Sequence, residues 1–118
     1  MRIVSIGGGP AGLYFALLHK RRHPDHQVEV FERNKPDDTF GWGVVFSDET
    51  LSNFEAADPE TYAEIRRSFA YWGEIDTYFR DTRVRSSGHG FCGLSRRRLL
   101  EIFHEHCEAL GVELVFER

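Results

Sequence analysis

The chain has 118 residues, 41% of them hydrophobic, with a formal net charge of -4 and a mean hydropathy of -0.44. That length supports one modest core and is short for a complete doubly wound domain. No apolar run approaches a membrane span, and the acidic balance argues against a nucleic-acid partner, which calls for a basic face. Glycines interrupt the apolar run after Ile6, so the N-terminus lacks the build of a secretory signal. Cys92 and Cys107 are the only cysteines, and their spacing suits neither a metal site nor a disulfide framework. They read as reduced thiols of a cytoplasmic protein.

In chain order, Arg2–Ile6 is an apolar strand that runs directly into Gly7-Gly8-Gly9-Pro10-Ala11-Gly12. An apolar helix follows from Pro10 and ends near Pro24, and Gln27–Phe31 forms a second strand closing on Glu32. A lone Gly-x-Gly-x-x-Gly is weak evidence, because glycines also mark ordinary turns. Here it stands between strand and helix, with an acid 20 residues past Gly12, and that order is used to bind an adenine dinucleotide. Gly7 permits the tight turn, Gly9 lets the pyrophosphate approach the backbone, and Gly12 lets helix and strand pack closely. Pro10 suits the first helical turn, and the N–H groups there, Ala11 among them, carry the positive end of the dipole. Glu32 suits a ribose 2′-OH and repels a 2′-phosphate, which favours FAD or NAD over NADP. The first strand reads as central, and the more strongly alternating second strand as nearer an edge.

Asn34–Thr39 is a polar loop, and Phe40–Phe46 is an apolar segment punctuated by Gly41 and Gly43. Trp42 is placed either beside a planar ligand or tucked into the core. Ser47 or Asp48 caps a short helix to Ala56, and Asp58-Pro59-Glu60 starts another that runs to about Phe69. Tyr71–Phe79 and Arg83–Ser87 read as a hairpin, followed by a Gly90–Gly93 loop. Ser95 caps a helix over Arg96–Leu110, with Gly111 at the position of a C′ glycine. Val112–Phe116 is a last strand, expected parallel to the first and on its far side from the second. The whole predicts an α/β chain: a βαβ unit with a parallel sheet, interrupted by a 34–93 insertion of loop, short helices and hairpin. Its C-terminal edge reads as incomplete, so the remainder of a longer polypeptide is expected as its partner.

Arg96, Arg97 and Arg98 stand in the first turn of the last helix, where the dipole disfavours cations. Local rules are broken most often at functional sites, and a bound anion would reverse the effect. Arg97 and Arg98 read as a solvated face, with Arg97 paired to Glu101. Arg96 is the candidate anion-binding residue. His104 and His106 point to different sides of the helix and make a poor metal pair, while His23 and His26 read as solvated. No metal site is expected, and Cys92 reads as a buried, inert thiol.

These residues resemble the flavoprotein aromatic hydroxylases of the p-hydroxybenzoate hydroxylase type. The matching features are Gly7–Gly12 with Glu32-Arg33, the hairpin, and Leu94-Ser95-Arg96-x-x-Leu99 at the helix start. Phe40–Leu51, with its Gly41-Trp42-Gly43 centre, is similar to the CoA-thioester branch of that family. The resemblance covers essentially the whole chain but a third or less of such an enzyme. It implies a Rossmann-like FAD site with Glu32 on the adenosine ribose, Arg33 near the adenine and Arg96 near the pyrophosphate. It also implies NAD(P)H as reductant, O2, and an aromatic or aryl-CoA substrate. Phe40–Phe46 would pass close to the isoalloxazine. No catalytic acid or base is implied, and the fragment alone is expected to be inactive. The competing expectations are a dinucleotide oxidoreductase without oxygen chemistry, and a non-catalytic remnant.

Overall fold

The computed structural model describes residues 1–118. Ten elements follow in order: β1 (Arg2–Ile6), α1 (Pro10–Arg22), β2 (Gln27–Glu32), β3 (Gly43–Ser47), α2 (Asp48–Ala57), α3 (Pro59–Ser68), β4 (Ala70–Phe79), β5 (Thr82–Ser95), α4 (Arg96–Ala109) and β6 (Glu113–Phe116). They form two three-stranded sheets, a parallel one ordered β1-β2-β6 and an antiparallel one ordered β3-β5-β4. The α/β class and the parallel βαβ unit thus hold.

Three helix starts have the caps their sequences predict. The Ser47, Asp58 and Ser95 side chains accept hydrogen bonds from the N–H groups of Thr50, Thr61 and Arg98. Leu110 is the C-cap of α4, and Gly111 follows at φ 81°, the left-handed stop a glycine supplies without strain.

The strand order corrects two expectations. β6 pairs with β2 rather than lying beyond β1, so β2 is the middle strand and β1 has a free edge. The physical reason is that α1 and α4 pack side by side, so two successive crossovers carry the chain the same way along the sheet. Alternation in β2 reflects one covered face, not an edge position. Val28 and Val30 are buried under the helices, while Val4 and Ile6 of β1 lie exposed on the other face. The core fills the space between that sheet and α1 and α4, with Leu13, Ala16 and Leu17 meeting Leu99, Ile102, Phe103 and Cys107.

β5 is a further correction. It does not stop at Ser87 but runs to Ser95, so Gly90–Gly93 is strand and not loop. Its first part pairs with β4 alone, and its last five residues pair with β3. Glycine at 90 and 93 is needed for packing rather than turning: a Cβ at Gly90 would collide with the Asp48 carboxylate, and one at Gly93 would press on the Trp72 ring. The β4–β5 ribbon draws the molecule out to 58 Å, with a radius of gyration of 17.0 Å. A compact chain of this length would have roughly 13.5 Å.

Candidate cofactor-binding site

Gly7 takes φ 108°, a conformation that only glycine adopts freely, and its N–H donates to Phe31 O at 2.8 Å. That bond ties the turn to the end of β2. Gly12 is forced by packing, since a Cβ there would lie 2.1 Å from Gly7 O and 3.1 Å from Ser5 Oγ. A Cβ at Gly9 would meet nothing within 4 Å, so the space above it is open. Pro10 is the first residue of α1. This helix differs from the other three in that its N-cap, Gly9, makes no side-chain cap hydrogen bond; like α4, it has no acid in its first turn. Its leading N–H groups are therefore left for an anion.

Glu32 ends β2 and reaches back to the turn. Its Oε2 accepts the Gly8 N–H at 2.7 Å, while Oε1 accepts the Asn34 N–H at 2.9 Å and Nδ2 at 2.7 Å. The Asn34 backbone bond leads the causes that hold the carboxyl below its usual range, so it is ionised at neutral pH. Gly8 has no room for a side chain, since a Cβ would lie 2.8 Å from that of Glu32. Sequence reasoning passed over Gly8 and Asn34. The three successive glycines were the available signal for Gly8, while Asn34 gave none.

A groove opens at this point. Gly8, Gly9 and Glu32 form one wall, and Arg96, Leu100 and His104 of α4 form the facing one. Arg96 makes no ion pair in the structure, whereas Arg97 bonds Glu101 at 3.2 Å and Arg98 bonds Glu64 at 3.0 Å. Two arginines of the cluster thus have acidic partners, Arg97 within α4 and Arg98 on α3, and the third is left for the groove. The backbone N–H of Arg96 donates to Trp42 O at 3.2 Å, so the glycine-flanked segment before β3 is fastened to the start of α4.

Arg96 also borders a second, apolar groove, where Pro10, Ala11, Tyr14, Val44 and Phe46 are among the lining residues. The candidate residues therefore divide. Gly9, Glu32 and Arg96 share the first groove; Pro10 and Ala11 border the second; Gly7 and Gly12 shape the turn. Arg33 is exposed and lines neither groove. Trp42 is 97% exposed, contrary to the core placement. The Cys92 and Cys107 thiols are buried and raised by desolvation, that of Cys107 to about 12, which keeps both protonated and inert. His23 and His26 stack on each other and on His19, with His19 Nε2 and His26 Nδ1 2.9 Å apart, so they are clustered rather than singly solvated.

Buried polar chemistry outside the grooves centres on Asp58. Its carboxylate is fully buried, ion-paired with Arg21 and bonded to the Thr61 N–H at 3.2 Å. Burial and then the Asp58 charge push the nearby Tyr14 hydroxyl up to about 12. The pair joins the α2–α3 corner to α1, and the Tyr14 ring stacks on Phe54 at 4.4 Å. No helix is long and apolar enough to cross a membrane.

No protein-family model matches the chain. In sequence it is 44% identical to salicyloyl-CoA 5-hydroxylase of Streptomyces sp. over 99% of its own length and 23% of the relative. It is 28% identical to 3-hydroxy-4-methyl-anthranilyl-[aryl-carrier protein] 5-monooxygenase of Streptosporangium sibiricum, over 95% of the chain and 32% of that protein. It is 29% identical to protodeoxyviolaceinate monooxygenase of Chromobacterium violaceum, over 99% of the chain and 32% of that protein. The chain therefore spans about a quarter to a third of these relatives. Among solved structures it is similar to 2-methyl-3-hydroxypyridine-5-carboxylic acid oxygenase, with a TM-score of 0.82 and 20% identity over 98% of the chain and 31% of that one. It is also similar to P. aeruginosa PqsL in complex with 2-aminobenzoylacetate, with a TM-score of 0.84 and 20% identity over 99% of the chain and 33% of that one. Along almost its whole length, then, this chain resembles one part of the monooxygenases represented by salicyloyl-CoA 5-hydroxylase, and it has the fold of the corresponding part of such oxygenases.

Proposed function

We propose that the chain is the FAD-binding portion of a larger cytoplasmic flavoprotein monooxygenase that hydroxylates an aromatic substrate, an aryl-CoA thioester, with NAD(P)H and O2. The observation that carries the proposal is the uncapped start of α1 at Gly9, sharing a groove with Arg96, a cation that has no partner of its own. The residues fit a dinucleotide. Open space above Gly9 admits a pyrophosphate, the α1 N–H groups and Arg96 meet its charge, and ionised Glu32 accepts a ribose hydroxyl. Glu32 Oε2 keeps a lone pair beyond its bond to Gly8, while Oε1 already takes two bonds from Asn34. Arg33, exposed beside Glu32, is assigned to the adenine end.

When bound, FAD supplies the reduction and oxygen chemistry of aromatic hydroxylation. This chain's residues hold and orient it, and no acid or base among them is assigned to proton transfer. The Phe40–Phe46 segment, fastened to Arg96 through Trp42 O, is assigned to the flavin end. The aryl-CoA assignment rests on the likeness to salicyloyl-CoA 5-hydroxylase. Residues 34–93 are assigned as an insertion in the FAD-binding fold, and the remaining polypeptide as its structural partner.

The test uses the full natural polypeptide that carries residues 1–118, purified and supplied with salicyloyl-CoA and either NADH or NADPH. A yellow protein with bound FAD and substrate-dependent O2 uptake is expected, and Arg96→Ala should lose most of its FAD on dialysis. A colourless wild type, or one indifferent to the thioester, would count against the assignment.

A further inference from the structure

Four buried side-chain polar atoms make no hydrogen bond within the protein: Tyr14 Oη, Arg21 Nε, Asp58 Oδ2 and Thr61 Oγ1. All four belong to one neighbourhood. Arg21 and the Thr61 N–H both hold Asp58 through its Oδ1, which leaves Oδ2 unpaired beside them. Tyr14 and Arg21 stand seven positions apart on α1 and share a helix face, and the long Arg21 side chain leans back toward the turn that carries Tyr14. The Tyr14 hydroxyl feels the charges of both Asp58 and Arg21. Asp58 and Thr61 are fully buried, so bulk solvent reaches neither side chain. Unpaired buried polar atoms are costly, and folded proteins satisfy nearly all of them. Where several cluster away from bulk solvent, an internal water molecule with about three protein partners is the usual solution.

The donors and acceptors match one water, which accepts two hydrogen bonds and donates two. Arg21 Nε can only donate, and the Asp58 carboxylate, ion-paired with Arg21, can only accept. The Tyr14 hydroxyl, kept protonated by burial, donates, and Thr61 Oγ1 has lone pairs to accept. We propose that the Asp58 centre is a binding site for one structural water, which accepts from Tyr14 Oη–H and Arg21 Nε–H and donates to Asp58 Oδ2 and Thr61 Oγ1. The site does not depend on the dinucleotide reading. Its consequence reaches the second groove, because Tyr14 lines that groove with Pro10 and Ala11, and its ring stacks on Phe54 at 4.4 Å and on Phe103 at 5.4 Å. The two phenylalanines hold the ring and the water holds its hydroxyl end. The groove wall is thereby tied to the α2–α3 corner through Asp58 and Thr61.

The test is a crystal structure of the full natural polypeptide at a resolution that shows ordered solvent, together with thermal unfolding of variants. One solvent peak at about 2.7–3.2 Å from at least three of the four atoms is expected. Asp58 Oδ2 bonded directly to Tyr14 Oη or Arg21 Nε, with no solvent peak among the four atoms, would overturn the site. Tyr14→Phe and Thr61→Val each delete one partner of the same water. Each should lower the unfolding midpoint by about 2–4 °C, the effect of one lost hydrogen bond in a mid-sized domain. The double variant should lose clearly less than the sum, because the two hydroxyls share one partner. Thr61→Ser keeps the hydroxyl and should keep the solvent peak. Fully additive losses, or a Thr61→Ser structure without the peak, would show that the hydroxyls do not share a water and would overturn the assignment. If the double variant fails to fold, the wild-type and Thr61→Ser structures decide alone.

Discussion

Glycine at three nearby positions answers three different physical demands. Gly7 is required by its φ of 108°, Gly12 by contact with a carbonyl oxygen, and Gly9 by nothing within the protein. That difference separates folding from binding. Gly12→Ala forces a methyl against Gly7 O and should destabilise the protein by about 3 kcal/mol, at the upper end of ordinary overpacking. Gly9 already has φ -74° and ψ 176°, which alanine adopts without strain, so Gly9→Ala should leave stability within about 0.5 kcal/mol. Its methyl would project into open space that the proposed pyrophosphate fills, and dinucleotide affinity should fall at least tenfold. Denaturant unfolding of both variants beside an ADP-ribose titration checks the contrast. A Gly9→Ala protein that binds normally would remove the pyrophosphate from this turn.

The helices show how a sequence signal can be read correctly yet incompletely. Asp58-Pro59 announces the start of α3, and Asp58 does cap it through the Thr61 N–H. The sequence held no sign that the same carboxylate would be fully buried against Arg21, because the partner lies 37 positions away on α1. Removing it therefore does more than uncap a helix. Asp58→Ala should cost about 3 kcal/mol, against about 1 kcal/mol for an exposed cap such as Ser95, because Arg21 loses its buried partner. Parallel chemical denaturation of the Asp58→Ala and Ser95→Ala variants measures the difference, and equal costs would show that the ion pair adds nothing beyond the cap. The triple arginine at the start of α4 divides in the same way. Spacing alone paired Arg97 with Glu101, but only the packing of α3 on α4 gives Arg98 its partner Glu64.

For the whole molecule, His104 and Glu32 belong to a set of groups with lowered pKa values, His19, Glu64 and Asp76 among them, that shape the response to acid. Desolvation lowers His104 from the usual 6.5, so below that value the unfolded chain binds the proton more readily than the folded one. Glu32 is lowered from 4.5, so its clasp on Gly8 and Asn34 contributes fully above that value and is lost as pH falls through its folded pKa. Both effects have one sign. The unfolding midpoint should decline from about pH 6.5 downward, and more steeply below the ordinary carboxylate range. His104→Gln should flatten part of the upper limb, and Glu32→Gln the lower. Thermal melts between about pH 7.5 and 2.5 provide the check, and a flat profile would contradict both assignments.

The sequence by itself determined the elements and the turn. Capping side chains, the C′ glycine and the glycine spacing act over a few residues, so Ser47, Asp58, Ser95, Gly111 and Gly7–Gly12 were legible in one dimension. Tertiary structure decided everything that depends on which distant segments meet. It put β2 rather than β1 in the middle, because α1 and α4 share one face of the sheet. It extended β5 through Gly90–Gly93, because β3 lies beside it. It separated Arg96 from Arg97 and Arg98 by giving those two acidic partners and leaving the first beside an uncapped helix start. It also set Phe116 beside Glu32 and against His104, 84 and 12 positions apart in the chain, where strand register and helix packing rather than local pattern fix the contact.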